Sequence, residues 1–236
     1  MIEPIEARVS PSRGLKLAVI LIVATGGLLA GAYAATTISE IPFSTLTRDP
    51  TTTLGAPWYV GAISNATVLI AVAGGVVGVF AASVVPPTSG RSFRGLLGWL
   101  GSLVVFLGLD DLYLLHEEVA PSMGVPEVAL YGTYGMVFII VLWAYRRPLI
   151  ELTNYFLLIL GMLALGVSLA VDVALARGLF TLPISGSYVE DPAKVIGIVL
   201  LATFLVDASR IGVGMGRRGR RERSKTPAEG VPSEVG

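Results

Sequence analysis

Long apolar runs separated by short polar or charged segments make up most of the chain. A membrane-spanning helix needs about 20 mostly apolar residues, and six windows meet this length fully or nearly. These windows cover approximately residues 17–35, 58–84, 93–115, 128–145, 149–175 and 192–213. The pattern predicts an all-α integral membrane protein, a bundle of six transmembrane helices formed by residues 17–213. Polar tails remain at the two ends, in residues 1–16 and 214–236.

The first apolar window also has a second interpretation, as a signal peptide. Arg8, Arg13 and Lys16 precede it, and the segment Ala32-Tyr33-Ala34 near its end resembles a small-residue cleavage site. Cleavage would leave five spans, with the orientation of the remaining helices unchanged. We favour a retained helix, because the apolar stretch is long and the other helices need a partner.

Positive charge is distributed unevenly between the two ends of the predicted helices. With six spans, both termini share one side with the loops near residues 91–94 and 146–147. That side holds all but three of the 17 Lys and Arg residues; the exceptions are Arg48, Arg177 and Lys194. Because Lys and Arg are enriched in cytoplasmic loops, we predict a cell-membrane protein whose N and C termini are both cytoplasmic.

The C-terminal tail, residues 214–236, carries a dense group of basic side chains between Arg217 and Lys225. Gly, Pro, Ser and Glu are interspersed among them, which predicts a disordered segment. Such a basic segment beside a membrane binds anionic lipid headgroups. Nothing in it requires nucleic acid, so the predicted partner is the lipid bilayer.

The composition agrees with a membrane protein and excludes several kinds of functional site. The chain is 53% hydrophobic and 14% charged, with a mean hydropathy of +0.75, whereas a soluble domain carries about 25% charged residues. It contains no cysteine, which excludes disulfides, thiolate metal sites and cysteine nucleophiles within this chain. It contains one histidine, so a site built from several imidazoles is also excluded.

The strongest indication of chemistry is an acidic stretch at the end of the third apolar window. Asp110 and Asp111 follow a long uncharged run and precede a further turn of apolar residues. A carboxylate in the centre of a membrane costs about 2.5–3.5 kcal/mol on insertion scales, so such groups face a partner, a cavity or water. This pair is therefore predicted to have a functional role.

The helical repeat predicts which of the neighbouring groups face inward. At about 100° per residue, a regular helix places Asp110 and Glu117 roughly 20° apart, with Tyr113 beside them. We therefore predict that these three side chains face the bundle interior and that Glu118 lies at the water interface. The orientation of Asp111 stays open.

Further acids are predicted to lie at the same outer face. Asp172 belongs to the last turns of the fifth window, and Asp191 stands at the start of the sixth. Hard cations take oxygen ligands, so the predicted metal ligands are Asp110, Asp111, Asp172 and Asp191. The candidate cofactor is a divalent cation, and its identity stays unknown.

The candidate catalytic residues are His116 and Glu117, since either can act as a general base and His116 can relay protons. Both also have structural interpretations. His116 can cap a helix end or sit among lipid headgroups, and Glu117, Glu118 and Glu127 can be solvated loop charges.

The other acids have structural interpretations as well. Asp172 can form an ion pair with Arg177 or Lys194. Glu190 and Asp191 can cap the sixth helix, where the helix dipole favours negative charge. Lys194, three residues after Asp191, can then neutralise it.

Three functions fit these patterns. The first is an outward-facing carboxylate cluster that binds a cation or protons, with a link to transport. The second is a metal-dependent enzyme that acts on a lipid or lipid headgroup at the outer leaflet. The third is a non-catalytic membrane assembly subunit. We favour the first, because carboxylates from distant parts of the sequence are predicted to lie at one depth.

Overall fold

The computed structural model describes part of the chain, namely residues 11–40, 45, 50–57, 59–85, 91–176, 178 and 187–225. These described residues contain helices and turns but no strand. The chain divides into two compact units, Met1–Ala62 and Ile63–Gly236.

The first unit includes the helices α1 (Pro11–Ser39) and α2 (Pro50–Leu54). The predicted first span, residues 17–35, lies inside α1. Proline suits the first position of α2, because the amide that it lacks has no partner within the helix there. Gly55 follows α2 with a φ of 65°, the left-handed conformation in which many helices end.

The second unit contains most of the helices and the short turns between them. They are α3 (Ala62–Val84), α4 (Arg91–Leu112), a π-helix (Leu115–Val119), the turn α5 (Ala120–Ser122), α6 (Glu127–Ala144), α7 (Arg146–Leu152), α8 (Tyr155–Ala176) and α9 (Ser187–Lys225). Among the residues that the structure describes, five helices are long and apolar enough to cross a membrane: α3, α4, α6, α8 and α9. The described part of the chain is therefore all-helical, with the character of a membrane protein.

Two predicted helix boundaries differ from those observed. The predicted third span ended near Leu115, but α4 ends at Leu112, because the backbone turns sharply at Leu114. The predicted fifth span, residues 149–175, is divided between α7 and α8. Thr153 separates them in an extended conformation, with φ −131° and ψ 162°.

The last helix is longer at both ends than the sequence predicted. It begins at Ser187, so Pro192 lies inside α9 instead of in its first turn. Proline has no backbone N–H, and the helix loses one hydrogen bond at that position. Residues 214–225, which were predicted to be disordered, continue α9 as helix. Residues 226–236 lie outside the described part of the chain.

The apolar core of the second unit lies mainly along α4 and α9. Its largest fully buried side chains include Phe93, Leu96, Leu97, Leu100, Leu201, Phe204 and Leu205. Burial of one such side chain contributes about 1.5–3 kcal/mol. This packing holds α4 and α9 together along these residues.

Two glycines allow α3 and α4 to touch through their backbones. A Cβ atom on Gly101 would lie 2.7 Å from the carbonyl oxygen of Gly75, and one on Gly75 would lie 2.6 Å from the carbonyl oxygen of Gly101. A side chain fits at neither position without movement of a helix. Small residues permit such close approach between membrane helices.

The five apolar helices differ in how deeply they are embedded in the protein. In their most apolar windows, 50% of α9 is buried but only 11% of α6. Large apolar side chains of α6, among them Met136, Ile139 and Trp143, are exposed. Exposed apolar surface of this kind suits contact with lipid.

Candidate functional site

A cavity of about 510 Å³ lies among α3, α4, α6, α8 and α9 of the second unit. Its size falls within the roughly 300–1,000 Å³ of small-molecule sites. One part of its wall is polar and comprises Asp110, Asp111, His116, Glu117, Glu127, Tyr131, Tyr134, Asp172, Glu190 and Lys194. Another part is apolar and includes Leu107, Phe138, Met162, Leu165, Leu169 and Ile198. The cavity is therefore amphipathic, with six carboxylates and one lysine in its wall.

Asp110 is the most deeply buried acid of this wall, with 3% of its surface exposed. Its Oδ2 atom lies 2.5 Å from Nδ1 of His116, and its Oδ1 atom accepts a hydrogen bond of 2.9 Å from the Tyr134 hydroxyl. Both carboxylate oxygens therefore have a partner, which a buried carboxylate requires. The prediction that Asp110 faces inward is confirmed by this burial.

A break in the helix brings His116 to Asp110. In a regular helix, two residues six positions apart lie about 120° apart around the axis and nearly two turns apart along it, so their side chains cannot bond to each other. Here α4 ends at Leu112, Leu114 adopts the left-handed conformation (φ 50°, ψ 40°), and the π-helix Leu115–Val119 follows. The reversal turns the imidazole back toward the carboxylate. Such π-helical turns are frequent at functional sites.

The break also changes the orientation of the neighbouring side chains. Tyr113, predicted to face inward beside Asp110, is 63% exposed, so that prediction is wrong. Glu117 lines the cavity with its side chain half exposed, and its Oε1 atom lies 3.4 Å from Nε2 of His116. Glu118 is exposed, as predicted.

A second polar group joins α6 to α8. The Tyr131 hydroxyl donates a hydrogen bond of 2.6 Å to Glu127 and lies 3.4 Å from Oδ2 of Asp172. The Tyr131 ring also packs against His116, with 5.3 Å between the ring centroids. The Asp172 carboxylate is therefore held near the Asp110–His116 pair by a tyrosine that the sequence analysis did not single out.

Lys194 of α9 forms a short ion pair with Asp111 of α4. The sequence suggested Asp191 or Asp172 as its partner, and the structure shows neither. The pair lies at the cavity wall and links two helices that are distant in sequence. Because Lys194 is occupied in this way, it neutralises Asp111 and leaves the other carboxylates of the wall without a lysine.

The four predicted metal ligands are only partly brought together. Asp110, Asp111 and Asp172 line the cavity, whereas Asp191 is exposed and does not belong to its wall. Within the described ranges of the chain, no group of three or more His, Asp and Glu side chains is arranged so that it could hold a metal ion. The adjacent Glu190 lines the cavity instead.

Three residues of α6 were missed as members of the site. Glu127, Tyr131 and Tyr134 all lie on its cavity-facing side. Spacings of four and seven residues place side chains on one face of a helix, and this signal was present in the sequence. Glu127 was instead interpreted as a solvated loop charge.

Comparison with known proteins gives one match. No curated protein and no solved structure matches the chain. A protein-family model described as "Domain of unknown function (DUF8692)" matches residues 16–208, a range that includes the predicted first span and every residue of the cavity wall. The chain therefore belongs to the DUF8692 family.

Proposed function

We propose that this chain is a multi-pass protein of the cell membrane with six spans and cytoplasmic N and C termini. Five apolar helices among the described residues support a multi-pass membrane protein, and the uneven distribution of Lys and Arg supports the proposed orientation. The family match begins at residue 16 and so includes the predicted first span. This favours a retained helix over a cleaved signal peptide.

The topology can be tested directly because the chain contains no cysteine. A single cysteine at Met123, in the exposed turn after α5, should react with a membrane-impermeant maleimide on intact cells. A single cysteine at Ser233 should react only after the membrane is opened. The reverse result would refute the proposed orientation.

The function that the cavity supports best is the binding of a cation. The observation that carries this proposal is the charge of the wall, since Lys194 is paired with Asp111 and five further carboxylates line the same space. A cation is attracted more strongly in a partly buried cavity than in water. In the proposed topology the carboxylates lie toward the outer face, so the cation comes from outside the cell.

The shape of the cavity favours an organic ammonium ion over a divalent metal. The apolar side chains behind the carboxylates, such as Leu107, Phe138 and Leu169, offer contact surface that a bare metal ion cannot use. The described residues also provide no group of three ligands for a metal. A metal-dependent lipid enzyme, the second function considered, therefore has less support.

The test is the thermal stability of the purified protein with a panel of cations. Hexylammonium combines an ammonium group with an apolar chain, and hexan-1-ol is its uncharged control; Na⁺, Mg²⁺, Ca²⁺ and Mn²⁺ complete the panel. A ligand that binds only the folded protein stabilises it by about 2.7 kcal/mol at 100 times its dissociation constant. We expect hexylammonium to raise the melting temperature at concentrations at which hexanol does not change it.

Two adjacent acids provide matched variants for this test. Glu190 lines the cavity, whereas Asp191 beside it is exposed and outside the wall. We expect Glu190→Gln to weaken hexylammonium binding about tenfold, which corresponds to about 1.4 kcal/mol, and Asp191→Asn to leave it unchanged. Stabilisation by a divalent metal alone would refute the ammonium ligand and leave a metal site, which fits both the first function and the enzyme. The absence of any cation response would refute the proposed function and favour the assembly subunit.

A further inference from the structure

Two glycines of the cavity wall face open space instead of another helix. Gly135 of α6 and Gly166 of α8 both line the cavity. Among the described residues, a Cβ atom added at either one would have no neighbour within 4 Å beyond its own helix. Gly161 of α8 is different, since a Cβ atom there would lie 3.1 Å from the carbonyl oxygen of Gly197 in α9. Gly161 therefore serves helix packing, whereas Gly135 and Gly166 leave room beside the cavity.

These two glycines lie further into the membrane region than the carboxylates of their helices. Gly135 follows Glu127 by eight residues and Gly166 precedes Asp172 by six, which corresponds to about 12 Å and about 9 Å along the helix axes. The Tyr131 hydroxyl of α6 lies 3.4 Å from Asp172, so the two helices are joined at the carboxylate end. Both glycines therefore lie at a similar depth, beside the apolar part of the cavity wall.

The cavity is open at this depth toward the apolar outer surface of α6 and α8. Gly166 is exposed although it lines the cavity. Large apolar side chains within one turn of the two glycines are also exposed, namely Met136, Leu163 and Val167. In the proposed topology, surface of this kind contacts lipid. The space between Gly135 and Gly166, the glycine gap, therefore connects the cavity with the bilayer.

The charged part of the wall discriminates between the headgroups of membrane amphiphiles. Lys194 is paired with Asp111, and five further carboxylates line the cavity. These carboxylates repel a phosphate group, and the described wall has no second lysine or arginine that could bind one. A headgroup with only positive charge therefore fits the cavity better than the headgroup of a zwitterionic phospholipid.

We propose that the ligand of the cavity is a long-chain amine that enters from the outer half of the bilayer. Its ammonium group lies among the carboxylates, and its alkyl chain passes through the glycine gap into the lipid. This inference rests on the proposed function, because it names the class of cation that the same cavity binds. Gly135 and Gly166 are then specificity-determining residues, since a side chain at either position would block the path of the alkyl chain.

The length of the alkyl chain tests this inference on the purified wild-type protein. The apolar wall extends to Phe138, eleven residues after Glu127, or about 17 Å along α6. An extended hexadecylammonium ion is longer than this distance, whereas hexylammonium ends before the glycines. We expect hexadecylammonium to raise the melting temperature at mole fractions in the micelle at which hexadecan-1-ol does not. Hexadecylphosphoethanolamine, which carries the same chain and a phosphate, should not stabilise the protein.

Substitutions at the glycine gap should affect the two amines differently. Gly166→Leu and Gly135→Leu fill the gap and should weaken hexadecylammonium binding about tenfold or more, while hexylammonium binding changes by less than about twofold. Gly132→Leu is the matched control, because Gly132 is exposed, has open space around it and does not line the cavity. It should retain the binding of both amines. Leucine favours a helix more than glycine does, so the helices themselves tolerate these changes.

The outcomes separate the two proposals. If hexylammonium stabilises the wild-type protein and hexadecylammonium does not, the long-chain ligand is refuted and the cation site stands. If hexadecylammonium binds Gly166→Leu and Gly135→Leu as tightly as the wild type, the glycine gap is refuted as the path of the chain. If neither amine stabilises the wild-type protein, both proposals are refuted. Equal stabilisation by hexadecylphosphoethanolamine would refute the discrimination against phosphate.

Discussion

Replacement of Asp110 by alanine removes the acceptor on which the buried His116 and the half-buried Tyr134 depend. In the native protein Nδ1 of His116 and the hydroxyl of Tyr134 each bond to one oxygen of this carboxylate. Alanine leaves both donors without a partner. Because Asp110 is only 3% exposed, little water can enter the void that alanine leaves. Solvent therefore replaces the lost hydrogen bonds only in part.

The size of the effect follows from these contacts. A buried donor left without a partner costs about 1–3 kcal/mol, which applies to His116. The hydroxyl of the half-buried Tyr134 adds less, because solvent can reach it in part. Removal of a buried charge recovers part of its desolvation cost. We therefore expect Asp110→Ala to lower the free energy of unfolding by about 1–3 kcal/mol, a large share of the roughly 5–15 kcal/mol of a typical protein. Asp110→Asn should lose less, because its carbonyl still accepts from Tyr134.

The free energy of unfolding can be measured by titration with dodecyl sulfate in mixed micelles, followed by tryptophan fluorescence. Tyr134→Phe removes one donor, so the double variant Asp110→Ala/Tyr134→Phe should be more stable than the sum of the two single changes predicts. Asp191→Ala is the matched control and should change the stability by no more than about 0.5 kcal/mol. If Asp110→Ala were no more destabilising than this control, the hydrogen bonds assigned to Asp110 would be refuted.

Three further predictions concern packing, backbone conformation and charge. Gly101→Ala places a Cβ against the α3 backbone and should lower the melting temperature by several degrees, whereas Gly98→Ala meets its nearest atom at 3.5 Å and should be tolerated; thermal unfolding of the two variants decides. Leu114 has a φ of 50°, so Leu114→Gly should be tolerated while the β-branched Leu114→Val should lose about 1 kcal/mol in the same dodecyl sulfate titration. Lys194→Met leaves Asp111 without its cation and should cost about 1–2 kcal/mol. The addition of Asp111→Asn should recover part of that loss, and a double variant less stable than Lys194→Met would contradict the ion pair.

Hydropathy predicted the helices well because a helix that spans a membrane must be mostly apolar over about 20 residues. Apolar windows of sufficient length correspond to α3, α4, α6, α8 and α9. The boundaries were less predictable, since they depend on single backbone conformations. Thr153 and Asn154 directly precede the apolar run from Tyr155, and both residue types favour a helix N-terminus, but the prediction treated the window as one continuous helix. The start of α9 before Pro192 shows that a proline near a helix end does not determine which turn is the first.

The site was predictable as a group of acids but not as a geometry. Asp110 was expected inside, and it is there because apolar sequence on both sides keeps the chain in the bundle. Its partner His116 could not be placed, because the prediction assumed a regular helix and the left-handed residue that breaks it is a leucine. Glycine or asparagine at position 114 would have indicated such a break.

The helices around the cavity differ in how tightly they are packed: α3 and α4 touch through their backbones, whereas α6 is largely exposed. On one side, α3 and α4 touch backbone to backbone at Gly75 and Gly101, so any separation of these helices opens a gap. On the other side, α6 has 11% of its apolar window buried, and acyl chains can replace its few protein contacts at small cost. A ligand too large for the resting space should therefore obtain room by displacing α6, together with Tyr131 and Tyr134. The cavity is thus bounded on one side by the rigid α3–α4 pair and on the other side by a helix that the bilayer allows to move.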